Sequence, residues 1–449
     1  MIASTVIPLD LSVRPTRRAL LHVPRGRCQR APGRARGSRG ANERLGDLGA
    51  VWDPPRFARA YAAPLEPGLP YLRRYDVFEF LPEASDRLSR LRNEDLERLT
   101  PAPGTILQTC SGRNLGPVTL TDDTLARHAL SHDMVRISIS DEDLRYYVLG
   151  FLKTSTGQAL LRRNRSGSVI AHITVADVGA ITVPMADAEV RAAVAAIMRR
   201  SAEGVALARA QLTALLAKRD SEFRLPDLAR PNREGWSQDS TSVNDRLDAG
   251  FYEPRVTAAR AALADSGAVR LGDLATATLP VRYKRYYVEA EHGRPILSGR
   301  QLLQLEPVNL RYVSDRSFRD PALYELEAGM TVFGAVGRSE GRQRTAALVT
   351  LGRHGWLASN DVMRLSPRPG VRPGAIWLAT ATRQTRLQVN ALSFGSVVDH
   401  MNPWDVENIL VPPVPDDDAA TAEDAWEHFS SAESDLHEAV RYLQAFLSS

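Results

Sequence analysis

Residues 44–61 read RLGDLGAVWDPPRFARAY, and residues 270–287 read RLGDLATATLPVRYKRYY. Without gaps, nine of the eighteen positions are identical: Arg44, Leu45, Gly46, Asp47, Leu48, Pro54, Arg56, Arg59 and Tyr61 recur 226 residues on. Unrelated segments share roughly one such position, so the stretch marks an internal duplication, and a duplication decides the fold before any single motif does. A second match follows in each copy. GSVIAHITVADVGAITVP (167–184) and GSVVDHMNPWDVENILVP (395–412) again share nine of eighteen residues, at an offset of 228, His172/His400 and Pro184/Pro412 among them. Between these anchors Gly68-x-Pro70 pairs with Gly293-x-Pro295, Gly112-Arg113 with Gly337-Arg338, and Ser131-x-Asp133 with Ser359-x-Asp361. The unit is a module of about 140 residues present twice, far longer than a solenoid repeat.

A helical signal follows each module. Asp187–Asp220 has apolar residues at 190, 194, 197, 198, 205, 208, 212, 215 and 216, a helical stripe. After Pro412, Pro413 and Pro415, Asp416–Asp418 can cap a second helix carrying Trp426, Phe429, Ala432, Leu436, Ala439, Val440, Leu443 and Phe446 near a heptad seam. Neither stripe can be buried inside its own module, so the two helices are expected to pack on each other as rods of roughly 45 Å. Within the modules, β-rich runs (Met134–Ser140, Ala180–Val183, Ala346–Leu351, Ile409–Val411) alternate with helical patterns at Leu144–Leu161 and Ala375–Leu387. The fold class is therefore α+β: two homologous mixed α/β domains joined by two long helices in an antiparallel coiled coil, with pseudo-two-fold symmetry. The expected boundaries are a tail at 1–43, a first domain at 44–184, a helix at 185–222, a linker at 223–245, a second domain at 246–412 and a helix at 413–449.

Composition narrows the chemistry. The chain has 449 residues, is 43% hydrophobic and 24% charged, and sets 57 basic residues against 53 acidic ones, which fits a soluble globular protein. No apolar run is long enough for a membrane span. Only Lys153, Lys218 and Lys284 are lysines; the other 54 basic residues are arginines. No lysine follows a glycine, which excludes a Walker A loop, and Phe151, Leu216 and Arg282 stand where an Asp/Glu-x-Lys nuclease needs its acid. Cys28 and Cys110 are too few for a disulfide framework or a Cys-rich zinc site and point to a reducing compartment. Residues 1–40 hold nine arginines and one acid, broken by prolines and glycines. The stretch reads as disordered, either a phosphate-binding arm or a tail without function.

Two modules held apart by rods suit a ligand with two oriented, separated sites, and duplex DNA is the obvious one. The doubled order of Gly-Asp-Leu, a Pro/Arg/aromatic segment, Gly-x-Pro, Ser-x-Asp, Gly-Ser-Val-x-x-His, Val-Pro and a long helix resembles the DNA specificity subunit of type I restriction–modification enzymes, over about 400 residues. Arg246–Pro254 (RLDAGFYEP) resembles the entry segment seen before some of these domains. The sequence departs from the family's usual Pro-x-x-Glu-Gln helix entry at Met185–Glu189 and Pro413–Asp416, and has His172 and His400 where glutamine is frequent. The resemblance implies a non-catalytic subunit with two target-recognition domains, each reading half of a bipartite target, with the helices as a ruler. It also implies docking of two adenine-methylating modification subunits and of motor-nuclease subunits, in a bacterial cytoplasm. S-adenosylmethionine, ATP and Mg would reside on those partners, with no cofactor or metal on this chain.

DNA-contact candidates follow from position. Arg56, Arg59 and Tyr61, with Arg282, Lys284, Arg285 and Tyr287, occupy corresponding loops, and arginine can bind phosphate or grip a guanine edge through two hydrogen bonds. Arg73, Arg74 and Arg300 are similar candidates. The Gly-rich turns offer Arg113 and Asn114, then Arg338, Arg342, Gln343 and Arg344. Arg162, Arg163 and Arg165, paralleled by Arg383 and Arg386, read as phosphate anchors. The plainer alternative in each case is a solvated strand face, hairpin tip or helix end. His172 and His400 lack a Ser, Cys or second His at useful spacing and read as structural hydrogen-bonders. Asp53-Pro54-Pro55-Arg56 imitates an amino-methyltransferase motif, but its final aromatic is an arginine and no cofactor loop precedes it; Asn402-Pro403-Trp404 lacks that loop too. Two rival readings remain: a methyltransferase or self-contained restriction protein with a fused reader, and an assembly protein that kept the clamp without sequence specificity.

Overall fold

The computed structural model describes residues 42–112, 115–163, 172–223, 235–243, 246–336, 345–393 and 400–448. The arginine-rich tail, most of the linker, the two Gly-Ser-Val segments, and Arg113, Asn114, Arg165, Arg338, Arg342, Gln343 and Arg344 lie outside the described residues.

Each copy starts and finishes on the same strand pair. Asn42–Arg44 runs antiparallel to Thr182–Pro184, and Val269–Arg270 antiparallel to Leu410–Val411. This explains why the Arg-Leu-Gly-Asp-Leu and Val-Pro motifs recur together. Leu45 N donates to Ile181 O at 2.8 Å and Leu271 N to Ile409 O at 3.0 Å, with both leucine side chains fully buried.

An antiparallel sheet forms the centre of each copy. Its strand order is Ala50–Trp52, Met134–Ser138, Ile106–Thr109, Val118–Leu120 in the first, and Ala275–Thr278, Val362–Pro367, Thr331–Gly334, Ala347–Leu348 in the second. A smaller sheet also repeats. Gly68–Leu72 has Asp86–Ser89 antiparallel on one side and Ala129–Leu130 parallel on the other; Arg294–Leu297 has Arg311–Val313 and Leu357–Ala358 in the same places. The glycine of each Gly-x-Pro is needed for close strand approach. A Cβ on Gly68 would lie 2.8 Å from Ala62 Cβ, and one on Gly293 2.5 Å from Val288 Cγ2.

The helical patterns after these sheets are each broken in two: Glu142–Lys153 and Ser155–Arg163, then Pro373–Ala381 and Arg383–Ala391. A threonine sits at each break. Thr154 Oγ1 donates to Phe151 O at 2.7 Å and accepts from Gly157 N at 3.1 Å, while Thr382 Oγ1 donates to Ala379 O at 3.0 Å. Side-chain hydrogen bonding to local backbone competes with helix continuation, which a periodicity reading does not register. Likewise the run Ala346–Leu351 is strand only at Ala347–Leu348, then turns through Leu351–Arg353.

The two long helices span Ala188–Glu222 and Asp416–Ser448, 35 and 33 residues. They pack antiparallel: Ser201 Oγ donates to Ala432 O at 2.7 Å, and Lys218 Nζ pairs with Asp418 at 2.7 Å. Val190, Val194, Met198, Val205, Ala208, Leu212 and Leu215 are buried as their spacing predicts, with Ile197 and Leu216 at the flank. The first helix also covers the first copy's core together with Leu436, Ala439 and Leu443 from the end of the second.

The copies meet directly as well. Phe80 N donates to Leu303 O at 2.7 Å, and Leu305 N to Phe78 O at 3.0 Å. Phe78 and Leu303 stand six residues after Leu72 and Leu297, so equivalent segments exchange hydrogen bonds reciprocally, as a two-fold relation requires. Two buried arginines clamp this seam. Arg209 on the first long helix donates to Phe80 O (2.9 Å), Glu79 O (2.7 Å) and Asp122 (2.7 Å). Arg353 donates to Gln304 O (2.6 Å) and Leu305 O (3.0 Å) and pairs with Glu433 at 3.2 Å.

Candidate nucleic-acid interface

The Pro/Arg/aromatic loop of each copy folds over its Ser-x-Asp turn. That turn is anchored identically: Ser131 N donates to Leu72 O (3.1 Å) and Ser359 N to Leu297 O (2.9 Å), and each serine Oγ accepts from the aspartate N two residues on. The recurring arginine then reaches the middle residue of the turn. Arg59 Nη2 lies 3.4 Å from His132 Nδ1, and Arg285 Nη2 donates to Asn360 Oδ1 at 2.7 Å. Aromatics fix both guanidinium groups, Phe57 and Tyr71 for Arg59 and Tyr283 for Arg285. Beside them Tyr61 and Tyr287 stay exposed by 44% and 43%, which leaves large flat side chains at the surface of an arginine-bearing loop. Burial holds the His132 imidazole below its ordinary pKa, so it is neutral near pH 7.

In the central sheet of each copy lies a residue that sequence reading passed over. Arg136 and Arg364, at the same place in the central sheet, are 0% and 2% exposed and have no carboxylate partner among the described residues. Arg136 donates to Arg98 O and Leu99 O at 2.7 and 2.6 Å under the Trp52 ring; Arg364 donates to Val362 O and Ala358 O at 2.7 and 2.8 Å. Burial pushes both down to about 10, still far above neutrality, so each stays a cation. A buried charge solvated only by carbonyls costs stability and projects a positive field outward. Its signal was present in the sequence, as DMVRIS at 133–138 against DVMRLS at 361–366.

The remaining candidates divide by what they touch. Arg56, Arg282 and Lys284 are exposed, with Lys284 resting on the Tyr286 ring. Arg73 pairs with Asp86 at 2.6 Å, and Arg74 donates to Ser111 Oγ at 2.6 Å. Arg300 crosses the seam to pair with Asp76 at 3.0 Å, over the Tyr75 ring. Arg162 is bound to Leu115 O at 2.9 Å and ties a loop down, while Arg163 is exposed. Arg383 is exposed, and Arg386 pairs with Glu83 of the other copy at 2.6 Å. These two lie in the first turn of their helix, whereas Arg162 and Arg163 end theirs, so the parallel between the groups is not positional. His172 bridges to Ser111 at a strand edge, and His400 is exposed. Among the described residues no cluster of His, Cys, Asp and Glu suits a metal ion, and no helix is long and apolar enough to cross a membrane.

No protein-family model matches the chain, and no curated protein does. Solved structures do align along nearly its whole length. The S subunit of a type I restriction–modification system from M. genitalium matches at 12% identity, covering 91% of this chain and 93% of its own, with a TM-score of 0.30. The HsdS subunit from Thermoanaerobacter tengcongensis matches at 12% identity, 91% and 95% coverage and a TM-score of 0.27. A chain from a type I R-M system, solved for its complex assembly and conformational transition, matches at 13% identity, 91% and 96% coverage and a TM-score of 0.29.

Proposed function

We propose that this chain is the DNA sequence-recognition subunit of a type I restriction–modification assembly, each copy reading one half of a bipartite target. The observation that carries the reading is the repeated constellation: an arginine held by aromatics over a Ser-x-Asp turn, and a buried arginine in the central sheet, twice in one chain and related by a two-fold seam. A pseudo-symmetric protein with two such sites matches the approximate two-fold of duplex DNA, as paired half-site readers do. The chain itself carries no chemistry in this reading. Partner subunits would supply S-adenosylmethionine-dependent adenine methylation, and ATP- and Mg-dependent cleavage where a nuclease partner exists, in a bacterial cytoplasm.

Co-expression with neighbouring reading frames, followed by methylation mapping of host DNA, tests this directly. Methyladenine at a bipartite motif, lost on deletion of this chain, is the expected result. Exchanging residues 44–184 for those of another such chain should alter one half-site only. Unchanged methylation after deletion would move the protein to DNA binding or assembly outside restriction–modification.

A further inference from the structure

We propose that a polar cleft beside the seam grips the sugar–phosphate backbone of one DNA strand between the two half-sites, through Arg311. The proposal rests on the DNA reading above. The cleft has a volume of about 470 Å³, and its lining includes Tyr75 from the first copy and Ser298, Arg300, Gln301, Gln304 and Arg311 from the second. None of its lining residues is a carboxylate. Arg300 is already paired with Asp76 at 3.0 Å, so the charge left for a ligand is that of Arg311, which with the hydroxyl and amides of the cleft selects for an anion.

The state of the aromatics indicates which anion. A cleft for bases would offer free ring faces for stacking. Here Arg300 covers the Tyr75 ring at 5.6 Å and Arg311 covers Tyr287 at 4.1 Å. The rings orient the cations instead. The Arg311 side chain is exposed and makes no hydrogen bond or ion pair with any described residue, so its donors face solvent. The walls are pre-built: Gln301 Nε2 donates to Val308 O at 2.9 Å, and Gln304 Oε1 accepts from Val308 N at 2.9 Å. Tyr287, which Arg311 covers, belongs to the recurring arginine/aromatic loop, so the cleft is continuous with the candidate interface.

The cleft also breaks the protein's own symmetry. Tyr75 and Arg300 stand three residues after Leu72 and Leu297, which makes them counterparts. Asp86 faces Tyr71 across its strand pair and Arg311 faces Ile296, again counterparts. Where the second copy presents the unpaired Arg311, the first presents an aspartate already paired with Arg73, and Arg300, itself paired with Asp76, has a tyrosine as its counterpart. Backbone contact is therefore one-sided, on a single strand, and independent of base sequence.

The test is binding of the full chain to random-sequence duplex across a salt titration, with ethylation interference on the bipartite target once mapped. Arg311→Ala should reduce the slope of log K against log salt by about 1. Arg311→Lys should restore most of the slope, and ethylated phosphates should interfere on one strand between the half-sites. An unchanged slope in a folded Arg311→Ala, or interference confined to the half-sites, overturns the cleft and leaves the DNA reading standing. Arg311-dependent binding of inorganic pyrophosphate without any effect on duplex would assign the cleft to free phosphates and overturn it too. Failure of the wild-type chain to bind any duplex overturns both.

Discussion

Replacing Arg209 with methionine should loosen the joint between the copies more than any surface change. The guanidinium side chain is 3% exposed, and its three partners, Asp122 and the carbonyls of Glu79 and Phe80, are each within 2.9 Å. Methionine keeps much of the volume and deletes the donors. Asp122, itself only 13% exposed, is then left as a nearly buried charge without its partner. Breaking one side of such a pair costs about 3–5 kcal/mol. In Arg209→Met/Asp122→Asn the stranded charge is gone, Leu125 N keeps the side-chain acceptor it has in Asp122 at 2.8 Å, and only the two carbonyls lack donors, so the loss should shrink to about 1–3 kcal/mol. Urea unfolding of the three proteins, followed by tryptophan fluorescence from Trp426 in the adjoining core, reads the difference. A single variant within 1 kcal/mol of wild type, or a double variant no better than the single, would refute the clamp.

Other consequences are independent of the clamp. Deleting four residues from the first long helix would shift the copies by about 6 Å if the helices alone set their spacing. The seam opposes that shift, so stability should fall while the preferred half-site spacer stays put, and a changed spacer at full stability would show the seam to be passive. Gly293→Ala should destabilise by about 1–3 kcal/mol, since its Cβ would meet Val313 O at 2.9 Å as well as Val288; thermal unfolding of this variant checks it. Burial pushes the Cys110 thiol up to about 12, so in a Cys28→Ser background iodoacetamide at pH 8 should modify the chain only after unfolding. Arg92, then Ser89, hydrogen-bond Glu66 and hold its carboxyl at about 2 instead of 4.5. A depressed carboxyl contributes stability above its unfolded pKa that is lost as pH falls from about 4.5 towards 2. Arg92→Ala should move the Glu66 titration back up, as carboxyl NMR would show.

Duplication made much of this architecture legible in advance. Recurrence at a fixed offset located both copies, and apolar spacing located both rods, because burial of one helical face imposes a period of 3.6. The loop carrying Arg59 and Arg285 was legible for the same reason. Three things were not. The breaks at Thr154 and Thr382 depend on one side-chain hydrogen bond each, which leaves the apolar pattern intact. The seam joins Phe80 to Leu303, far apart in sequence, and no local motif announces a pairing of that kind. Arg136 and Arg364 sit within strands where residue type argues for exposure, and only the comparison of the two copies position by position reveals them.

The antiparallel rods also impose an order on synthesis. The apolar face of Ala188–Glu222 emerges from the ribosome with the first copy, but its partner, Asp416–Ser448, is made last. Val194 and Met198 share a core with Leu436 and Leu443, and Leu212 shares one with Ala422 and Phe429. At 5–20 residues per second, roughly 10–40 s pass before that face can be covered. A nascent or truncated chain therefore displays a long apolar stripe beside a nearly finished first half. Early termination should yield aggregation or chaperone capture instead of a stable half-molecule, unless a second helix of the same kind is supplied in trans.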